Sequence, residues 1–367
     1  MDFQFFHELL SIDSTSRKER KVAEWLTGRL PGMFPDGNRP ALRVDEVGDG
    51  TLNLLLTWGA PRIVFCTHLD TVPPYIAPTV IPGSTRNLPE VVKGRGSCDA
   101  KGQVFAMVTA CQRLAEQGST DFGLLLLAGE ETGSWGAKAF AKTDFKAEYL
   151  VVGEPTDNCM VSASKGTKSF DLKFTGVPFH SGYPQYGVSA VDLFVDFVNA
   201  LKAKDFGMDP VLGETTWNIG LLHSDNPQNI LSPSLTCRLY FRTTFVSDKA
   251  VCKWMEERNT AEEGTAPKAF ARIGSRNDAF GAVPSSARIT VTPRGGDTPA
   301  RYWTVEGLPA KAVAFGSDAP HLRIFTHKAI CGPGSITVAH RDDECVRAAD
   351  IATAVKQYIT LYQATTE

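Results

Sequence analysis

The chain has 367 residues and a net charge of −3 at pH 7, with 43% hydrophobic and 22% charged residues. It is long enough for two domains with separate cores, and without a broad basic excess a nucleic-acid partner is not expected. No apolar run approaches the roughly 20 residues of a membrane span.

The opening segment, Met1 to Glu8, has no basic stretch followed by an apolar one, so neither a membrane partner nor secretion is expected. The eight cysteines include no Cys-x-x-Cys pair, and several sit in apolar runs. A disulfide framework and a zinc knuckle are therefore not expected, and a reducing cytoplasm is.

Phe6, Leu9, Leu10 and then Val22, Trp25, Leu26 recur at helical spacing on either side of a polar break, which predicts two helices. Arg17, Lys18, Arg20 and Lys21 read as a solvated helix face, and His7 as a surface or packing histidine. Strands are predicted over 42–47 and 52–56, around the turn Gly48-Asp-Gly50.

The run 63–67 is continuously apolar or β-branched and reads as a buried strand. It ends in His68-Leu-Asp70, and the prolines of Thr71-Val-Pro-Pro74 must leave the ladder. Residues two apart on an extended chain face the same side. Asp70 can then accept the proton of one ring nitrogen of His68 and leave the other for a metal. Residues 74–89 read as loop.

Glycines surround Asp99 in Lys93-Gly-Arg-Gly-Ser-Cys-Asp-Ala-Lys-Gly102, just before a helix predicted over 104–115. The GxxxxGK[ST] spacing is absent, so the carboxylate rather than a phosphate loop is the candidate for chemistry. A second apolar strand, 122–127, runs into Ala128-Gly-Glu-Glu-Thr-Gly133. Two desolvated, unpaired carboxylates at Glu130 and Glu131 would repel. A third, 148–153, ends in Gly153-Glu-Pro-Thr156.

Four successive strand ends are thus expected to deliver His68 with Asp70, Asp99, Glu130 with Glu131, and Glu154 to one sheet edge. That edge is where ligands bind in open α/β sheets. Burying so much negative charge would be very costly, and a pair of divalent cations would offset it.

From residue 165 the pattern alternates. Strands at 169–174, 217–222, 236–245 and 288–293, with helices at 190–201 and 248–257, give the order β-α-β-β-α-β. That predicts a small sheet with helices on one face, inserted into the first domain. The chain returns through Gly316-Ser-Asp-Ala-Pro-His321, a strand over 324–330, a loop carrying His340, and a helix over 348–362. No GxGxxG follows a strand, which argues against a nucleotide-binding Rossmann protein.

These residues resemble the M20 family of co-catalytic zinc aminoacylases and carboxypeptidases, which includes acetylornithine deacetylase, succinyl-diaminopimelate desuccinylase and glutamate carboxypeptidase. The matching stretches are Thr67-His-Leu-Asp-Thr-Val-Pro73, Gly94-Arg-Gly-Ser-Cys-Asp-Ala-Lys-Gly102, Gly129-Glu-Glu-Thr-Gly133, Gly153-Glu-Pro-Thr156, Phe179-His-Ser-Gly182 and His340. They occur in the family's order and span nearly the whole chain.

The resemblance implies an α/β, zinc-exopeptidase-like catalytic domain over 1–163 and 297–367, with an inserted α+β, ferredoxin-like lid and dimerisation domain over 164–296. It implies two Zn²⁺, replaceable by Co²⁺. His68, Asp99 and Glu154 would hold one; Glu131, Asp99 and His340 would hold the other, with Asp99 bridging. Asp70 would stand behind His68. Glu130 would be the general base, taking a proton from water and passing it to the leaving amine.

In a homodimer, His180 would reach the partner's site and stabilise the oxyanion. Asn229, Arg242, Gly316 and Ser317 match substrate-binding positions. The sequence departs from the family at Asn229-Ile-Leu-Ser232, where Asn-x-Ile-Pro is usual. It departs again at Tyr240, where an aspartate is common, and in 75–89, which lacks Trp-x-x-Asp-Pro. The expected reaction is removal of an N-acyl group, with acetyl the favoured one, from an amino acid such as N-acetylornithine or N-acetylcitrulline. The alternative is a di- or tripeptidase or a carboxypeptidase acting on short peptides.

Overall fold

The structure, a computed structural model, describes residues 1–83, 89–259 and 287–365. Residues 84–88 of the expected 74–89 loop, and 260–286 of the expected inserted domain, lie outside these. The chain divides into two compact units. One comprises Met1–Ser162, Arg301–Ala312 and Ser317–Glu367; the other comprises Ala163–Ala300 and Val313–Gly316.

The first unit is built on a six-stranded sheet. Its order is Ala41–Val47, Thr51–Gly59, Asp121–Leu127, Ile63–His68, Tyr149–Val152, His327–Ile330. The first three are joined by antiparallel pairings and the last four run parallel. Every residue of Ile63–His68 is buried, which is why this strand reads as an unbroken apolar run rather than an alternating one.

Helix Phe3–Leu10 is started by Asp2, whose carboxylate accepts the free N–H groups of Gln4 and Phe5. It buries Phe5, Phe6, Leu9 and Leu10. Phe6 stacks on Phe105 of helix Lys101–Glu116 with centroids 4.8 Å apart. On the central strand, Phe65 meets Tyr358 of helix Ala348–Ala364 at 5.7 Å. The polar break expected between the first two helices separates Phe3–Leu10 from Arg20–Arg29.

The chain leaves Ile63–His68, pairs Asp121–Leu127 on one side of it, and then adds Tyr149–Val152 on the other. The connections diverge at the carboxyl end of Ile63–His68, which is a topological switch point.

Two sequence expectations are corrected here. Residues 74–89 are not all loop: Thr79–Pro82 pairs antiparallel with Pro89–Lys93, which also pairs with Cys345–Arg347 in a separate small sheet. Asp99 therefore does not follow a strand of the main sheet. The fourth parallel strand end belongs instead to His327–Ile330, which falls within the strand expected over 324–330.

The second unit holds a four-stranded antiparallel sheet, ordered Thr216–His223, Ser234–Thr243, Gly166–Thr175, Arg288–Gly295. Along Ser234–Thr243, Leu235, Cys237, Leu239 and Phe241 are buried and the residues between are more exposed, the period-two pattern of a sheet covered on one face. Helices Ala190–Lys202 and Asp248–Glu256 cover that face. Phe197 packs edge-on against Phe174 at 5.5 Å and lies 5.5 Å from Trp254. With the sheet in this order, the unit is an α+β layer pair.

Candidate metal centre

His68 ends its strand fully buried. Its Nδ1 lies 2.9 Å from the main-chain carbonyl of Asp70 and 3.4 Å from that residue's Oδ1. The two-residue spacing does place Asp70 beside the ring, but the carbonyl is the nearer acceptor. The Asp70 carboxylate is committed elsewhere. It accepts the Glu130 N–H at 3.0 Å, the Glu131 N–H at 3.2 Å and the Ser16 hydroxyl at 2.9 Å. Asp70 thus shapes the neighbouring loop while its backbone directs the imidazole. The loop also requires Gly129: it sits at φ +70°, and a Cβ there would fall 2.1 Å from the Trp135 ring.

His68 Nε2 lies 3.0 Å from Oδ1 of Asp99. The other oxygen of Asp99 lies 3.3 Å from His340 Nε2, and that same nitrogen lies 3.1 Å from Glu131 Oε1. One carboxylate therefore presents its two oxygens to two histidines, the arrangement of a group shared between two cations. Ligand atoms of His68, Asp99 and Glu131 all lie within 4.8 Å of one another.

Glu154 is placed by strand pairing, since the Gly153 N–H donates to the Cys66 carbonyl at 2.8 Å and the Thr67 hydroxyl to the Gly153 carbonyl at 3.0 Å. Its Oε1 is buried without a hydrogen-bond partner, as a residue meant to meet a cation would leave it. Imidazole and carboxylate donors suit Zn²⁺ and related divalent ions.

The electrostatics agree with this donor set. Burial opposes charge on the His68 ring, but the Asp70 and Asp99 carboxylates outweigh it and hold its pKa well above the ordinary value. Hydrogen bonds to Asp99 and Glu131 raise His340 to about 10. Burial favours the neutral form of Asp99, yet the imidazoles of His340 and His68 win and hold it well below the usual carboxylate range. Burial raises Glu130, Glu131 and Glu154, the first and last well above the ordinary value. Neighbouring carboxylates add to this: Asp318, Glu131 and Asp99 around Glu130, and Glu130 and Asp99 around Glu154. A buried acidic cluster of this kind holds protons until cations replace them.

Asp318 is a member of the cluster that sequence reading left without a role. It is buried, with its pKa pushed up to about 7 by desolvation. Its signal was an acid directly after Gly316-Ser317. Ser317 itself is buried, its hydroxyl accepting the Ala319 N–H at 3.3 Å.

The remaining candidates lie in the second unit. His180 and Asn229 are brought together: His180 bridges Ile230, and the Ser181 N–H donates to the Asn229 carbonyl at 2.9 Å. The exposed His180 ring accepts the Gly182 N–H at Nδ1, 3.1 Å away. Arg242 lies with its guanidinium 5.1 Å over the Tyr240 ring. A Cβ on Gly316 would lie 3.9 Å from the Arg242 Nη1. Lys165 is close enough for the Arg242 charge to help lower its pKa, after desolvation and against Glu214.

Comparison with known proteins agrees with this geometry. Residues 64–364 match the description of peptidase family M20/M25/M40. A probable carboxypeptidase of Aspergillus flavus is 31% identical over 98% of this chain and 86% of its own length. Among solved structures, a tripeptidase from Staphylococcus aureus superposes with a TM-score of 0.76 at 20% identity, covering 97% of this chain and 95% of the other. Aminopeptidase PepT from Bacillus cereus gives 0.74 at 18% identity, covering 100% and 98%. These relatives are named as peptidases, not as deacetylases. With its donor set at the switch point of the sheet and its match over most of its length, the chain belongs to the M20/M25/M40 family of metallohydrolases.

Proposed function

We propose that the protein is a two-metal exopeptidase that removes the C-terminal residue of short peptides. The observation that carries this reading is Asp99, whose two carboxylate oxygens each face a histidine, with Glu131 beside the second. His68 and Glu154 would hold one cation, Glu131 and His340 the other, and Asp99 would serve both. Two Zn²⁺, or Co²⁺ in their place, suit these donors. When bound, the cations supply Lewis-acid chemistry, polarising the scissile carbonyl and making water more acidic.

Glu130 takes a proton from the attacking water on a carboxylate oxygen as the new C–O bond forms. It gives that proton to the departing amine nitrogen as the C–N bond breaks. The free α-carboxylate of the substrate is held by Arg242, whose guanidinium fork suits it; Asn229, Gly316 and Ser317 are the further candidates for substrate binding. The basic neighbourhood of Arg242 and Lys165 supports that assignment. The protein acts as a homodimer, in which His180 of a second copy hydrogen-bonds the developing oxyanion. The names of the relatives support peptides as substrates.

The test is a hydrolysis panel on chelator-stripped protein with and without Zn²⁺ or Co²⁺. It would include di- and tripeptides, the same peptides amidated at the C-terminus, and N-acetyl amino acids. Metal-dependent release of the last residue from free-acid peptides, lost on amidation, is the expected result. Cleavage indifferent to amidation would replace the reading with an aminopeptidase. Turnover of N-acetyl amino acids alone would return the protein to the deacetylases.

A further inference from the structure

Two side chains inside the first unit are as buried as any in the core, yet carry full charges. Arg95 and Glu344 are each 1% exposed, and Arg95 Nη1 donates to Glu344 Oε2 at 2.7 Å. Neither touches a group that could react. Their partners show what they do. The second oxygen of Glu344 accepts two consecutive main-chain N–H groups, those of Cys98 and Asp99, each at 3.0 Å. Arg95 Nη1 also donates to the carbonyl of Arg341 at 3.0 Å, and its Nε to the carbonyl of Pro74 at 3.2 Å.

Arg341 follows His340, which sits in the left-handed region at φ +64°, uncommon for a side chain other than glycine. The same two segments are laddered just beyond the pair, where Cys345 opposes Lys93 and the Gly94 N–H donates to the Glu344 carbonyl at 3.0 Å.

We infer that Arg95 and Glu344 form a positioning clamp that sets His340 against the shared carboxylate Asp99, and so builds one of the two metal positions without contacting it. The inference rests on the two-metal reading above. Asp99, whose N–H the clamp holds, serves both cations; the effect is unequal because the other ligands of the two positions are held differently. His68 and Glu154 are fixed by the strand pairings of Ile63–His68 and Tyr149–Val152, which the clamp does not touch. His340 comes from a loop, and its distance to Asp99 depends on what ties that loop to residues 95–99. Well-packed apolar residues can join two segments as stably as a buried ion pair. A carboxylate aimed at the N–H of a ligand residue, backed by an arginine holding the carbonyl beside another ligand, also fixes direction. Removing such outer partners typically weakens metal affinity 10–100-fold.

The test is a calorimetric Co²⁺ titration of the chelator-stripped full chain, read together with the visible Co²⁺ spectrum. It would compare wild type, Arg95→Met, Arg95→Lys and Glu344→Gln. Wild type should take two equivalents. Arg95→Met should keep the first affinity within about threefold and lose roughly 10–100-fold in the second, with a changed spectrum for that ion. Arg95→Lys should recover part of the loss. Glu344→Gln, which keeps an acceptor for the two N–H groups and nearly the same shape, guards against a folding failure of Arg95→Met and should show the same asymmetry more weakly. A lower melting temperature with both affinities unchanged, or both weakened equally, would make the pair merely structural and overturn the inference. Wild type taking fewer than two equivalents would overturn the two-metal reading itself, whatever the variants do.

Discussion

Glu130 and Glu131 are adjacent in sequence and have different surroundings. Glu131 faces His340, and that hydrogen bond works against the rise that burial imposes on it. Glu130 is raised further, chiefly by desolvation, with three carboxylates around it and His68 as the counterweight. A raised, positioned carboxyl is what proton transfer near neutral pH requires. Glu130→Gln should therefore retain metal stoichiometry while kcat falls by about 10²–10⁴, measured on metal-loaded protein with the peptide found active. Unchanged kcat would remove Glu130 from its role.

The histidines give a prediction about pH. His68 is raised well above its ordinary 6.5 and His340 to about 10, so both hold a proton at pH 7 in metal-free protein. Metal binding must release these protons. Affinity should then rise with pH, and calorimetry in buffers of different ionisation enthalpy should report net proton release. The stability that the raised His340 confers on metal-free protein has the opposite slope. It is fully present below the unfolded value near 6.5 and lost as pH rises through about 10. Because the ring is half exposed, that contribution is small.

Among the elements, the loops after the parallel strands are held by one another as much as by the strands. The carboxylate of Asp70, after Ile63–His68, receives the N–H groups of Glu130 and Glu131, after Asp121–Leu127. Asp70→Ala would leave both without their acceptor, at about 1–3 kcal/mol for each buried group. The denaturant midpoint should fall accordingly, and metal binding should weaken because the Glu131 loop loses its anchor. Asp70→Asn, which keeps one oxygen, should lie between. A midpoint unchanged in Asp70→Ala would show that water replaces the carboxylate at no cost.

For the molecule as a whole, the first unit carries the complete donor set, while His180, Asn229 and Arg242 stand in the second. If His180 serves the centre of a second copy, Glu130→Gln and His180→Ala proteins, each inactive alone, should regain activity on mixing. Random exchange would restore up to about a quarter of the wild-type rate, since half the dimers are hybrid and each has one complete site. No recovery after subunit exchange is verified by mass would mean that His180 acts within its own chain or not at all.

Much of this was written in the chain. Continuous apolar runs marked Asp121–Leu127, Ile63–His68 and Tyr149–Val152 because strands buried on both faces tolerate nothing else. Period-two alternation marked Ser234–Thr243 because a half-covered sheet demands it. His68, Asp70, Glu130, Glu131 and Glu154 were nameable from their places after those runs, since a parallel sheet sends the following loops to one edge; Asp99 and His340 follow none of them.

What the sequence did not decide depends on pairings between distant segments. The strand expected over 324–330 is confined to His327–Ile330, the stretch that lies beside Tyr149–Val152. Residues 79–82 read as loop because 74–89 is rich in proline and polar residues; they become a strand by pairing with Pro89–Lys93. Arg95 and Glu344 are 249 residues apart, and each alone is an ordinary surface-type residue. Only the fold removes both from water, and only that removal makes a charge pair a fixed and directional link between two ligand loops.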